Sequence, residues 1–479
     1  MGAIERAMTP QGTVGDEIND KDVKHIDQAA LFLASAGDAP VFSPKGEKRL
    51  RRKIDFIMLP MLFVTATLGA VDKVALSTAA IYGLEIDNNL HGQQYSWLGS
   101  ILSLGSLVAM FPSSALLHKL PSAKYLCGCS IGWSVMALLM PACHNWSGLM
   151  AIRFFMGCCE AIIVPGISLL IAGWYKKAEQ PPRNALVFAA ASSIVNGFLS
   201  WLVGKIPGDA PLAKWKYLYI LVGSISMAWS IFAFIFLPDT PMNAKFLSKE
   251  EKVFWVQRLA ENKTGVMNKT WKWDQAIEAL IDPKTWIIFF FNIAINIPNG
   301  GLTTFSGIII QNLGFSSVNS SLLSMPTGVM STLAAFVFST LGAKWSNRRC
   351  LVTMCACVVP IVGTAILYAV PRTAVGAQMV GLYLVYTYFG PYVVGISLAQ
   401  ANTAGHTKKN VSFAILYIGY AVGNLIGPQT FRASQAPAYT GGVIAMLNRR
   451  SAAKPDDDEP WDSFQDITDW KQADFKYTT

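Results

Sequence analysis

The chain has 479 residues, 52% of them hydrophobic and only 14% charged, with a mean hydropathy of +0.37. Soluble proteins carry about 25% charged residues, so this composition excludes an ordinary water-soluble globule. The net charge of +9 does not mark a nucleic-acid binder, because the cations sit in short loops between apolar runs.

A bilayer core of about 30 Å needs roughly 20 apolar residues in a helix, and backbone groups in lipid must be satisfied within the segment. Taken in chain order, the apolar runs predict membrane helices at 54–80, 92–117, 124–143, 147–174, 184–205 and 216–238. A second series follows at 285–310, 320–342, 350–370, 376–399 and 410–430, and then a stub at 437–447. Stretches 184–204, 217–238, 285–343, 350–371 and 410–431 contain no Asp, Glu, Lys or Arg.

The loops alternate in charge. Lys45, Lys48, Arg49, Arg51, Arg52 and Lys53 precede the first span, and Lys119, Lys124, Lys176, Lys177 and Arg183 lie in later loops on the same side. Lys344, Arg348, Arg349, Lys408 and Lys409 continue the series, whereas the loops after spans 1, 3 and 7 lack Lys and Arg. The positive-inside rule therefore predicts a cytoplasmic N-terminus, with Lys205, Lys214 and Lys216 as exceptions. No cleavable leader is expected, since the apolar run 29–36 is too short.

The charge-rich segment 239–284 divides the spans into six and the remainder. Within it, 247–259 is predicted as a surface helix with Ser248 and Glu251 spaced as a capping box. Asp282 before Pro283 is a start signal for span 7. The expected organisation is a cytoplasmic tail (1–47), a six-helix bundle (48–238), a cytoplasmic linker (239–284), a second bundle (285–447) and a tail (448–479). Similar basic turns after spans 2 and 8, at His118–Lys124 and Ala343–Arg349, suggest a duplicated unit with a site between the halves. The final helix is expected to be incomplete. Its apolar run stops at Leu447, and 437–447 would reach only about 16 Å as a helix.

Several ordered motifs carry a resemblance. They include Asp72-Lys-Val-Ala-Leu76, Gly92-Gln-Gln-Tyr-Ser-Trp-Leu-Gly-Ser100, Arg153-Phe-Phe-Met-Gly157 with Glu160, and Leu237-Pro-Asp-Thr-Pro241. The second half adds Asp282-Pro-Lys-Thr-Trp286, Asn296-Ile-Pro-Asn-Gly-Gly301, Gly405-His-Thr-Lys408, Gly419-Tyr-Ala-Val-Gly-Asn424 and Gly427-Pro-Gln429. Together they resemble the fungal allantoate permease group of anion:cation symporters, within the major facilitator superfamily. The resemblance implies an all-α integral membrane fold of two six-helix halves and alternating access in a plasma-membrane monomer. It also implies proton-coupled uptake of a small carboxylate or nitrogenous nutrient such as allantoate, ureidosuccinate, nicotinate or pantothenate.

Ionisable residues inside a membrane are functional candidates by default. Arg153 and Glu160 are seven residues apart on span 4, hence on one face and about 10 Å apart. An arginine there suits a substrate carboxylate, and a buried glutamate suits a coupling proton. The alternative is that both brace neighbouring helices. Asp72 and Lys73 on span 1 either pair with each other, line a vestibule or cap the helix, and Asp72 joins Glu160 as a proton-coupling candidate. Asn292, Asn296 and Asn299 recur at helical spacing on span 7, which Pro298, Gly300 and Gly301 are expected to interrupt. Asn196, Tyr417, Tyr420 and Asn424 complete the polar substrate candidates, each with the alternative of gluing helices together. His406 and Lys408 are read as a structural or gating turn. No metal-ligand spacing or Walker loop occurs, so no cofactor, metal or enzymatic reaction is expected. The rival reading is a non-transporting nutrient sensor, or an inactive truncated transporter, on the same fold.

Overall fold

In a computed structural model the protein is described at residues 43–176, 179–188, 191–207, 209–260, 272–345, 348–403, 406–435 and 439. The expected final helix at 437–447 (except residue 439), the tail at 448–479 and most of the N-terminal tail lie outside the described residues. Two compact units emerge, one built from 1–50 with 240–266 and the other from 51–239 with 267–479.

The helices run in the order α1 Pro44–Ile81, α2 Gln94–Lys119, α3 Ser122–Leu139, α4 Trp146–Glu160, α5 Ile163–Trp174, α6 Gln180–Val187, α7 Ser192–Gly204 and α8 Lys214–Phe236. After α9 Lys249–Ala260 come α10 Trp273–Ile281, α11 Pro283–Gln311, α12 Ser317–Leu323, α13 Met325–Lys344, α14 Arg349–Ala369, α15 Val375–Val385, α16 Phe389–Ala401 and α17 His406–Gln429. Among the described residues ten helical segments are long and apolar enough to cross a membrane.

The smaller unit shows the expected capping box. Ser248 N donates to Glu251 Oε2 at 2.9 Å, and Glu251 N donates to Ser248 Oγ at 3.2 Å, so two orphan amides at the start of α9 are satisfied reciprocally. Arg258 Nε donates to Glu47 Oε1 at 2.7 Å within the same unit.

In the larger unit the expected spans recur, with breaks in the helix inside 147–174, 184–205, 320–342 and 376–399. The run 184–205 is not one helix: α6 ends at Val187 and α7 starts at Ser192, leaving α7 a short apolar helix of 13 residues. Span 4 divides at 161–162, four residues before Pro165, whose ring lacks the amide that would bond back to Ala161. Span 7, by contrast, is not interrupted. Pro298 lies inside a continuous α11, so no break there frees carbonyls to line a cavity. Glycines of α11 and α17 serve packing instead: a Cβ on Gly300 of α11 would sit 2.7 Å from Asn424 O, and one on Gly423 of α17 would sit 2.6 Å from Ile293 O. Only glycine lets α11 and α17 approach backbone to backbone. Asp282 caps α11 as expected, its carboxylate accepting from Lys284 N at 3.0 Å.

The two helical halves, α1–α8 and α11–α17, meet where α1, α11 and α17 finish and α2 begins, here called the distal ends. Ser96 Oγ donates to Phe431 O at 3.2 Å and Ser100 Oγ to Leu425 O at 2.7 Å, joining α2 to the end of α17. Gly307 N donates to Ser77 Oγ at 2.7 Å, and Tyr82 Oη bonds with Ser321 Oγ at 3.2 Å.

Candidate functional site

The charged candidates gather where the last turns of α1 pass α4. Lys73 lies eight residues from the end of α1, about 12 Å by helical rise. Its ammonium forms an ion pair with Glu160 at the end of α4 and donates to Tyr420 Oη of α17 at 3.3 Å, sitting 5.6 Å from that ring's centre. Lys73 therefore ties an acid of its own half to a phenol of the other. Asp72 and Lys73 do not pair, since adjacent helical positions point in different directions.

Asp72 faces a second cluster. It is 3% exposed, and neither carboxyl oxygen has a hydrogen-bond partner within the protein. Arg153 and Glu160 both lie within its electrostatic reach. Arg153 is 2% exposed, and its Nε donates to Leu98 O of α2 at 2.8 Å, while Nη1 has no partner. The hydroxyl of Tyr219, fully buried on α8, is held against Arg153, with Asp72 also within reach. Well over nine in ten buried backbone groups, and most buried side-chain polar atoms, find partners in native proteins. An unpartnered acid and the free edge of a buried cation, side by side, make a site with unused recognition capacity. Arg153 and Glu160 thus share a face but divide their bonds, one gripping α2 and the other α1.

The asparagines build a ladder across α11 and α17. Asn292 Nδ2 donates to Leu416 O; Asn296 Nδ2 donates to Asn292 O at 2.8 Å and to its Oδ1 at 2.9 Å. Asn299 Nδ2 reaches Asn424 Oδ1 at 3.0 Å, and Asn424 Nδ2 donates to Tyr420 O at 2.9 Å. Tyr388 Oη donates to Asn299 Oδ1. Much of this capacity is spent on holding helices together, the alternative that the sequence left open. The ladder ends at the backbone carbonyl of Tyr420, the residue whose hydroxyl accepts from Lys73.

Two candidates stand apart. Asn196, fully buried, donates to Thr78 Oγ1 at 2.7 Å in the distal contact rather than the ladder. Tyr417 takes no part in the ladder's hydrogen bonds and is half-buried on α17. Sequence reasoning missed Tyr388 and Tyr219. The aromatic run at 386–389 was a signal for the first; nothing distinguished Tyr219 from other span-6 aromatics. Lys408, read as a turn residue, is 1% exposed, with Glu278 Oε1 at 3.1 Å and Asp282 Oδ2 at 2.9 Å.

Comparisons with known proteins agree with this architecture. The family description Major Facilitator Superfamily matches residues 61–428. The chain is 38% identical to the MFS-type transporter cnsL of Penicillium expansum, over 96% of this chain and 94% of that one. It is 29% identical to the allantoate permease of Saccharomyces cerevisiae, over 99% and 93% of the two chains. Among solved structures, an inward-facing bacterial homologue of the lysosomal transporter Spinster aligns with a TM-score of 0.61 at 14% identity, covering 81% of this chain and 92% of its own. A D-xylose–proton symporter aligns at 0.56 and 13%, covering 81% and 95%. At such identities the structural likeness speaks for the fold alone.

Proposed function

We propose that this chain, which belongs to the major facilitator superfamily and is a multi-pass membrane transporter, carries a small organic anion together with a proton by alternating access. The observation that carries the reading is the Asp72 carboxyl, buried without a hydrogen-bond partner beside Arg153, Tyr219 and the Lys73–Glu160 pair. A carboxylate cannot stay ionised in an apolar interior without a partner except at a cost of several kcal/mol. Asp72 is thus suited to hold a proton in this conformation. The free edge of Arg153 suits a substrate carboxylate, which its planar fork can grip through two hydrogen bonds.

Coupling follows from competition. An arriving anion near Lys73 loosens the hold on Glu160, which then gains from taking up a proton. The proton and the anion enter as a neutral set, which lowers the cost of crossing. Asn299, Asn424 and Tyr388 provide neutral donors and acceptors from the other half, and Asn292 and Asn296 hold that wall in place. The allantoate permease likeness supports a ureido or carboxylate nutrient, with ureidosuccinate, nicotinate and pantothenate in the same chemical class.

Alternating basic loops support a cytoplasmic N-terminus at the plasma membrane, with Arg183 inside and Asn145 outside. Distal contacts between the halves support an externally closed state.

Purified protein in vesicles, with the membrane potential clamped and the outside one pH unit more acid, tests the reading. One proton per anion sets a ceiling of about tenfold accumulation, because 1.36 kcal/mol is a factor of ten. Uptake that equilibrates without accumulating overturns the coupling. Saturable binding without flux favours the sensor instead.

A further inference from the structure

The short helix α10 sits immediately before the α11 span and has two unlike faces. Gln275, Ala276, Glu278 and Ala279 are buried. Their polar members grip the start of α17: Gln275 Oε1 accepts from Thr407 N at 3.1 Å, and Glu278 Oε1 lies 3.1 Å from Lys408 Nζ. The opposite face carries Ile277, Leu280 and Ile281, exposed by 53%, 49% and 64%. These positions fall within an arc of about 100°, the width of an apolar stripe. A helix in water has no reason to present such a stripe.

The stripe does not end with α10. One residue, Asp282, separates it from α11, whose first turns expose Trp286, Ile287 and Phe290. Trp286 Nε1 donates to Leu280 O at 2.7 Å, fixing the corner between the two helices. Because α11 crosses the bilayer, its exposed apolar side chains meet lipid, and the α10 stripe continues that surface around the corner. An indole at this corner suits the boundary between acyl chains and headgroups. Lys272 and Lys284 stand just beyond the two ends, where anionic headgroups would meet them.

We propose that α10 lies in the membrane plane as an anchor, with Ile277, Leu280 and Ile281 inserted among the upper acyl carbons of the leaflet on the 239–284 side. Its other face then fixes Lys408 and the first turn of α17, the helix that carries Tyr420 and Asn424. The lipid surface is thereby connected mechanically to the wall of the candidate site. This placement stands on α10 and α11 alone, whatever the substrate.

The test uses the unmodified chain in vesicles of phosphatidylcholine and phosphatidylglycerol, doped with a phospholipid bearing a diazirine on an upper acyl carbon. After illumination, mass spectrometry locates the adducts. Anchoring predicts adducts on 277–281 at a yield within about threefold of that on 286–290, as for an in-plane helix. Adducts on 286–290 with none on 277–281 overturn the proposal, whether water or another protein segment covers α10. A spin label at Ile277→Cys, in a chain whose eight native cysteines are replaced, gives a second reading. Greater collision with oxygen than with a nickel chelate, relative to Asp274→Cys, agrees with insertion. Equal accessibility at the two sites, or shielding from both quenchers, overturns it.

Discussion

Replacing Lys73 by Met, Glu160 by Gln, and then both together separates a brace from a working ion pair. Breaking a fully buried pair costs about 3–5 kcal/mol, because the remaining charge is stranded. Here the side chains keep 27% and 14% exposure, so each single replacement should cost about 2 kcal/mol, between the buried and exposed limits. Lys73→Met leaves Glu160 without its cation, and Glu160→Gln leaves Lys73 with the neutral Tyr420. The double variant strands nothing, and its thermal stability in detergent should return to within about 1 kcal/mol of the parent. Transport should not return with it. If the pair moves a proton, gradient-driven accumulation is lost in all three variants, while exchange of bound anion survives best in Glu160→Gln. A double variant that recovers both stability and tenfold accumulation would show the pair to be a brace and refute the coupling argument.

Arg153→Lys keeps the charge but loses the planar fork and its bond to Leu98 O, so substrate affinity should fall by about tenfold or more, measured by equilibrium binding. Lys408→Met strands Glu278 and Asp282 and should cost about 3–5 kcal/mol of stability, with Asp282→Asn in the same chain recovering part of it in thermal melts. Gly307→Leu places a side chain where a Cβ already comes within 2.8 Å of Ser77 O. It should force the distal ends of α1 and α11 apart and speed maleimide labelling of Ser77→Cys by about tenfold, with unchanged labelling ruling out that close contact.

Much of the fold was legible because lipid imposes simple rules. Most uncharged runs of about 20 residues became spans, 184–204 being the exception, and Asp282-Pro283 and Ser248 with Glu251 became the caps their chemistry announces. The breaks were harder. Pro165 and Pro298 look alike in sequence, yet a break precedes only Pro165. At Pro298 the helix stays whole, its glycine neighbour pressed against α17. Site residue types were visible through the cost of burying charge and amide groups. Their partners were not, because pairing depends on which helices meet. Lys73 finds Glu160 from 87 positions away and Tyr420 from 347. Helical geometry alone already argued against an Asp72–Lys73 pair. Nothing local told Tyr219, held against Arg153, from the other aromatics of its span.

The bonds between the halves differ in kind from those within them. Arg51–Glu179, Arg183–Asp55 and Lys73–Glu160 lie inside the first half, and Lys408 pairs with Asp282 at the start of α11 and with Glu278 of the adjoining α10. Across the distal contact the named bonds are neutral hydroxyl, amide and carbonyl pairs, as at Ser96–Phe431, Ser100–Leu425 and Ser77–Gly307. A neutral hydrogen bond contributes only about 0.5–1.5 kcal/mol net, since water replaces it when the contact opens. A separated buried ion pair would cost several times more. The halves are therefore bound internally by interactions expensive to break and to each other by interactions cheap to exchange. Such a division lets rigid halves part at the distal end for a few kcal/mol, the scale on which a ligand's preference for one conformation can shift the balance. Lys73 stands at the seam, its ion pair in one half and its hydrogen bond to Tyr420 in the other, where a change of partner in the site is felt by both.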